Sequence, residues 1–230
     1  MAAANAKAAR RGRFITFEGG EGAGKSTQIK LLAERLAAAH VSAVVTREPG
    51  GSPGAEIMRH LVLSGIGKVL GPEAETLLFA AARDDHVHLV IEPSLARGVW
   101  VLCDRFSDST RAYQGSLGKV DPALIEALER VTIGSLRPDL TLVLDLPVEV
   151  GLRRAAVRRG NAAPDRFEGE DVAFHHKLRE AYRAIATREP QRCALIDADA
   201  DAATVAARIA EVVMQRFPEL KPQAKTVAPA

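Results

Sequence analysis

The sequence predicts an α/β fold in which a parallel sheet is covered by helices on both faces. Five short apolar or β-branched runs alternate with segments whose apolar residues recur at helical spacing, the pattern of strands joined by helical crossovers. One of those runs, VWVLCD, is unbroken by any polar residue before its end, as a strand buried on both faces requires. A glycine-rich loop between the first run and the first helical segment is the third sign.

In chain order, RFITFEG is a β-rich run that stops at glycine. GKSTQIKLLAERLAAAH follows, with Ile29, Leu32, Ala33 and Leu36 at helical spacing. VSAVVTREPGG is a second strand, ended by Pro49 and two glycines, and SPGAEIMRHLVLSG opens with Ser and Pro as helices do. GPEAETLLFAAARDDHVHLVIEPSLARG reads as helix, with Pro93 kinking it or joining two pieces. After the strand VWVLCD, DPALIEALERVTIG is a helix closed by Gly134, and LTLVLDL is a further buried strand. PVEVGLRRAAVRR is helical and basic. Beyond the loop GNAAP a long helix is expected from about Asp165 to Thr187, marked by Phe167, Phe174, Leu178, Tyr182 and Ile185. CALIDA and DAATVAARIAEVVMQRF are the last strand and helix.

With 230 residues, 47% of them hydrophobic, the chain can bury one well-cored domain, expected over 13–217. Residues 1–12 read as a disordered lead-in and 218–230 as a flexible tail. Lys plus Arg exceeds Asp plus Glu by only 2, so no bulk charge suggests a nucleic-acid partner. No apolar run reaches the roughly 18–20 residues that span a bilayer. Cys103 and Cys193 lie in apolar runs, as buried free thiols of a reducing compartment do. A cytoplasmic location is expected.

GGEGAGKS fits G-x-x-x-x-G-K-[ST] at Gly19, Gly24, Lys25 and Ser26, with a strand before it and a helix after. Such a P-loop wraps phosphate with backbone N–H groups at a helix N-terminus. Glu21, Gly22, Ala23 and Thr27 complete the ATP-binding stretch; Lys25 would reach the β/γ-phosphates and Ser26 would ligate Mg²⁺. Glu21 is the anomaly, an acid inside a phosphate cradle. Asp104 ends a buried strand where an acid approaches a metal or its waters, and Arg105 beside it could grip phosphate; a structural salt bridge is the bland alternative. Asp145 has the same placement, but structure or capping is favoured for it. Phe79 and Arg83, four apart on a predicted helix, could stack on and hydrogen-bond a nucleobase, although a helical Phe is usually core. Arg153, Arg154, Arg158, Arg159 and Arg166 surround a small-residue loop, either a lid (about 153–168) that closes on a triphosphate or a solvated helix face. His86, His88, His175 and His176 have no metal spacing. No N-K-x-D motif is present, which argues against a GTPase. A nucleotide or small-metabolite kinase fits best, and a P-loop module that binds nucleotide without turnover is the rival of another class.

FEGGEGAGKST, TREPGG, LLFAAAR, DRFSDSTRAYQG, RPDLTLVLD and DRFE, in this order from about Arg13 to Phe217, resemble the bacterial thymidylate kinases. The resemblance implies a nucleoside-monophosphate-kinase-like three-layer fold with a five-stranded parallel sheet and helical lid, a homodimer, and ATP-dependent phosphorylation of dTMP to dTDP. It further implies that Phe79 stacks on thymine, Arg83 hydrogen-bonds its exocyclic oxygen, and Thr110 contacts the base edge. Tyr113 closes the sugar site, Gln114 lines the same pocket, Arg105 binds the acceptor phosphate, and Pro49, after a cis bond to Glu48, sits against the base. Asp165 belongs to the DRFE element. Glu21 would accept from the sugar 3′-hydroxyl and orient Arg105. The loop has no arginine, so the family's lid-arginine arrangement applies, with Arg158 or Arg159 on the phosphates and Arg154 and Arg166 behind.

Overall fold

Period-two alternation along the central strands decides the layering. The structure, a computed structural model, describes residues 11–64, 67–161 and 166–220. β1 (Phe14–Gly19), β2 (Ala43–Arg47), β3 (Trp100–Asp104), β4 (Leu140–Asp145) and β5 (Cys193–Asp197) form one parallel sheet in the order β2-β3-β1-β4-β5. Ile15 and Phe17 of β1, Leu102 of β3 and Leu140, Leu142 and Leu144 of β4 face one side. There they meet Ile29, Leu32 and Leu36 of α1 (Lys25–Ala38) and Ile209 and Val213 of α10 (Ala202–Arg216). Phe14, Val101, Cys103 and Val143 face the other side.

That second side is covered by helical segments from the connections that follow β2, β3 and β4. α2 (Pro53–Leu63) and α3 (Gly67–Leu70) precede α4 (Pro72–His86), which runs through a π-helical turn at Val87–Ile91 into α5 (Glu92–Ala96). α6 (Ser107–Thr110) and a π-helical turn at Arg111–Leu117 lead to α7 (Pro122–Thr132). α8 (Val148–Arg159) and α9 (Val172–Arg188) connect β4 to β5. β3 and β4 are buried along nearly their whole length, whereas the edge strands β2 and β5 expose Val45 and Leu195. Filling the centre with β1, flanked by β3 and β4, puts their apolar runs where each large side chain is worth about 1.5–3 kcal/mol of burial.

Most expected elements are present, with four differences. The long helix starts at Val172, not near Asp165, because Asp171 caps it by accepting from the Phe174 N–H; Phe167 therefore stands in a turn outside the helix. Pro93 falls in the first turn of α5, and the irregularity precedes it as the π-helical turn. Ser107–Leu117, which the sequence left without an element, is helical. The packed chain also exceeds the expected 13–217 limits. Gly12 N–H donates to Leu95 O at 2.8 Å, Arg11 pairs with Asp139, and Pro218–Leu220 forms a 3₁₀ turn whose Glu219 pairs with Arg13. Residues 1–10 and 221–230 of the expected lead-in and tail, and Asp165, lie outside the described residues. Both cysteines are buried and free, as expected.

Where β1 meets the second helical layer it buries an acid. Glu18 is fully enclosed, accepting from Phe106 N–H at 2.8 Å, Ser109 Oγ at 2.7 Å and Tyr182 Oη at 3.1 Å. Burial and the nearby Asp108 push its pKa up to about 7, against the pull of Arg105. Unfolding returns Glu18 to its ordinary 4.5, so between these values the folded chain holds the extra proton and loses stability as pH rises. The loss approaches about 1.4 kcal/mol per pH unit within that window. Calorimetry across this range should show the melting temperature of Glu18→Gln gaining on that of the wild type as pH increases; parallel curves would count against a protonated Glu18.

Candidate active site

The loop between β1 and α1 is shaped by what packs behind it. Gly22 has φ 67°, and a Cβ there would collide with the Gly151 carbonyl of α8, so the loop can lie directly on that helix backbone. α7, α9 and α10 are capped by Asp121, Asp171 and Asp201, but α1 begins after Gly24 with no side-chain cap. Its first N–H groups thus stay available to an anion. Lys25 folds back over the loop, Nζ donating to Gly19 O at 3.1 Å and Gly20 O at 3.0 Å. Burial and the neighbouring Arg105 hold its pKa below the ordinary lysine value.

Strand register brings the next wall to the loop. Asp104 lies beside Phe17 of β1, and its Oδ2 accepts from Ser26 Oγ at 2.9 Å. Among the described residues no group of three or more His, Cys, Asp or Glu is arranged to hold a metal. A hydroxyl and a single carboxylate beside a phosphate loop still suit Mg²⁺, which takes few protein oxygens and completes its shell with phosphate and water. Arg105 follows with φ 71°, a left-handed backbone for a residue other than glycine, held by its N–H bond to Phe17 O at 2.9 Å. Its guanidinium donates to Glu21 Oε1 at 2.7 Å, Tyr182 Oη at 3.1 Å and Gly19 O at 3.2 Å, with the Tyr113 ring centre 5.2 Å away. Asp104 and Arg105 thus take different partners rather than forming the salt bridge that was the alternative. Burial pushes the Glu21 carboxyl up, but Arg105, Lys25 and Arg158 outweigh it and leave its pKa below the usual value. Glu21 is an ionised strut between loop and strand end, not a solvent-facing side chain.

A cleft of about 400 Å³ opens from this point, lined by Glu21 to Thr27, Asp104 and Arg105. Pro49, Phe79, Arg83, Thr110, Tyr113 and Gln114 line the same cleft, so the residues proposed for a base and sugar converge there with those proposed for phosphate. The Glu48–Pro49 bond is cis, as expected. Arg83 is fixed from behind: Nε donates to Glu48 Oε2 at 2.7 Å, and Nη2 donates to Phe106 O and Thr110 Oγ1. His86 holds Glu48 in turn, through Nδ1 at 3.1 Å, with Thr46 Oγ1 on its Nε2. Nη1 of Arg83 has no hydrogen bond among the described residues and is the donor left for a ligand.

Several contributors were missed in the sequence. Phe167 stands between the aromatic walls, its ring 6.4 Å from Phe79 and 5.0 Å from Tyr113. Arg47, Glu48, Arg59 and Glu168 also line the cleft. Arg47 and Glu48 stand in the TREPGG motif, and Phe167 and Glu168 in DRFE; the helical spacing of Phe167 with α9 pointed to a core role instead. Asp145 is structural, as favoured: it pairs with Arg179 and Arg183 of α9.

The lid arginines separate. Arg158 Nη2 donates to Glu168 at 2.7 Å, lies 4.0 Å from Glu21 Oε2 and lines the cleft. Arg159 pairs with the other oxygen of Glu168 at 3.1 Å but is absent from the cleft wall. A second opening of about 380 Å³ lies across the loop, lined by Gly22, Gly24, Thr27, Arg154, Arg158 and the turn after β5. Arg154 donates there to Ala198 O and Ala200 O.

A family model described as thymidylate kinase matches residues 17–209. The chain is 73% identical over 210 residues to a thymidylate kinase of Nitrobacter winogradskyi, covering 91% of each chain. It is likewise 73% identical to one from Bradyrhizobium diazoefficiens, over 90% of this chain and 91% of that one. The crystal structure of thymidylate kinase from Ehrlichia chaffeensis superposes with a TM-score of 0.72 at 33% identity, covering 88% of this chain and 99% of that one. Matched by the family model over residues 17–209 and by these relatives over about nine tenths of its length, the chain belongs to the thymidylate kinase family.

Proposed function

We propose that the chain transfers the γ-phosphoryl group of ATP in line to the phosphate of dTMP, giving dTDP and ADP on the route to dTTP. The observation that carries this reading is the Glu21–Arg105 pair, which joins an uncapped phosphate loop to a base-sized aromatic cleft. Other nucleoside-monophosphate kinases on this scaffold, or a binding module without turnover, are not favoured, given relatives of one activity at 73% identity.

The donor phosphates lie in the loop from Gly19 to Thr27, under Lys25, with the ATP nucleoside in the opening beside Arg154. A phosphate oxygen is already nucleophilic, so no general base and no covalent intermediate are needed. Thymine stacks on Phe79, and its exocyclic oxygen meets Arg83 Nη1. Thr110 and Gln114 face the base edge, Pro49 packs on the base and Tyr113 closes the sugar site. Glu21 takes the 3′-hydroxyl while its other contact aims Arg105 at the acceptor phosphate. Arg158, already beside Glu21, closes on the transferring group with Arg159 supporting it through Glu168; this lid spans about 153–168 of a single kinase domain. Ser26 and Asp104 would supply the protein oxygens for Mg²⁺, which would offset phosphate charge there. Catalysis by these side chains is positioning and charge stabilisation.

Among the described residues no helix is long and apolar enough to cross a membrane. The cytoplasm is the proposed location, with no nucleic-acid partner. Ile57 of α2 and Leu77 of α4 are exposed apolar side chains that a homodimer could cover.

ADP release with dTMP, dUMP, the ribose form of TMP, dCMP, dAMP and dGMP tests the substrate. Turnover is expected to favour dTMP, and ATP consumption indifferent to dTMP would sink the reading. Lys25→Ala should remove at least about 10²-fold of kcat with the fold intact. Arg158→Ala should cost about 10³-fold, more than Arg159→Ala, by the scale of arginine fingers. Glu21→Gln should raise the KM for dTMP roughly 10-fold as Arg105 loses its charged partner; unchanged dTMP kinetics would remove Glu21 from the acceptor site.

A further inference from the structure

Glu75 lies on α4 one turn before Phe79, is almost fully buried, and has two partners on its two oxygens. Oε1 accepts from Gln114 Nε2 at 3.0 Å, and Oε2 pairs with Nη1 of Arg166, whose guanidinium also lies over the Phe167 ring. A carboxylate paired with a guanidinium has no proton to give and only accepts. The Gln114 amide must therefore turn its NH₂ to Glu75 and its oxygen away, an orientation fixed by the network and not by shape, since the two ends of an amide are nearly isosteric. Gln114 lines the cleft, and its Oε1 has no hydrogen-bond partner among the described residues. In the same wall Arg83 offers Nη1 as a donor.

We propose that Glu75 is a positioning residue that sets base specificity by holding the Gln114 amide with its oxygen toward the cleft. This rests on reading the cleft as the acceptor-base site. A donor and an acceptor in one wall complement the edge of thymine or uracil, which shows a carbonyl O4 and an N3–H. Cytosine shows an amino group and a bare N3 at those places, so donor would face donor and acceptor would face acceptor. A site built for one hydrogen-bonding edge rejects the other because its buried groups are left unpaired.

Glu75→Gln reverses the logic with almost no change of shape. Arg166 would take the new amide oxygen, leaving the new NH₂ toward Gln114, which must then present its own NH₂ to the cleft. The expected result is a fall in the dTMP-to-dCMP ratio of kcat/KM of roughly 10- to 100-fold. The loss should sit mainly in the KM for dTMP, with the KM for ATP little changed. The dTMP-to-dUMP ratio should not move, because both bases share the edge. Glu75→Asp keeps an acceptor-only carboxylate and should retain the dTMP-to-dCMP ratio even where overall activity drops. Equal loss of dTMP, dUMP and dCMP activity in Glu75→Gln, or loss of the ratio in both variants, would assign Glu75 to packing and overturn the proposal. A wild type that does not prefer dTMP and dUMP to dCMP would instead defeat the reading of the cleft itself. Should Glu75→Gln fail to fold, the Gln114 side-chain amide in the ¹⁵N-labelled wild type decides. Protected NH₂ protons that stay protected on adding dTMP support the tie, and fast exchange with water overturns it.

Discussion

The Glu21–Arg105 ion pair is the contact on which the arrangement of the site depends. It spans the crevice where the chain leaves β1 for one layer of helices and β3 for the other. Such a crevice, at the carboxyl ends of parallel strands, is where this architecture places ligands. Arg105, at the end of β3, is held across the crevice by the backbone of β1, through Phe17 O on its own N–H and Gly19 O on its guanidinium, and the ion pair adds Glu21 of the loop. Loop and strand end therefore move as one body. Its side chains are sparingly exposed, so the pair is screened less than a surface salt bridge. Breaking it by removing one partner leaves a charge with little water to solvate it, so a substitution at either position is expected to be costly.

Behind that pair stands a second tier of buried polar groups that touch no proposed ligand. Glu18 gathers Phe106 N–H, Ser109 and Tyr182, and Glu48 gathers Arg83 and His86. Asp108, in α6, takes both terminal nitrogens of Arg192. Each acid fixes a residue of the Phe106–Gln114 stretch or the arginine facing it. The π-helical turn at Arg111–Leu117 places Tyr113 and Gln114 in the cleft wall, and such turns recur at functional sites. Regular hydrogen bonding gives way there, and buried carboxylates supply the rigidity that a regular helix would have provided.

How much of this was legible follows the range of each signal. The sheet was readable because burial on both faces leaves unbroken apolar runs such as VWVLCD, and the loop because phosphate binding constrains consecutive residues. Phe79, Arg83, Tyr113 and Gln114 could be named from motif resemblance, and the cleft brings them together. The supporting acids were not legible. Glu18 and Glu75 are charged letters in runs that give no hint of their partners, which lie up to 164 residues away in sequence. The start of the long helix was misplaced for a related reason. Phe167 keeps the helical spacing of Phe174 and Leu178, yet the Asp171 cap overrides that periodicity with a local hydrogen bond.

The same electrostatics explain how an acid can occupy a phosphate loop without defeating it. Glu21 would repel the donor phosphates if it stood alone, but three cations set its environment: Lys25, Arg105 and Arg158. Arg158 is poised between two carboxylates, 2.7 Å from Glu168 and 4.0 Å from Glu21, on a helix whose Gly151 packs against the loop backbone. In the absence of phosphate those acids keep the guanidinium near the cleft and its charge compensated. A triphosphate offers more negative charge than either carboxylate, so the arginine can shift to it over a short distance, and Glu168 remains with Arg159 as partner. An arginine fixed in the loop itself would lack that freedom. The acid at position 21 and Arg158 of α8 form one electrostatic unit, in which the positive charge absent from the loop stands on a neighbouring helix.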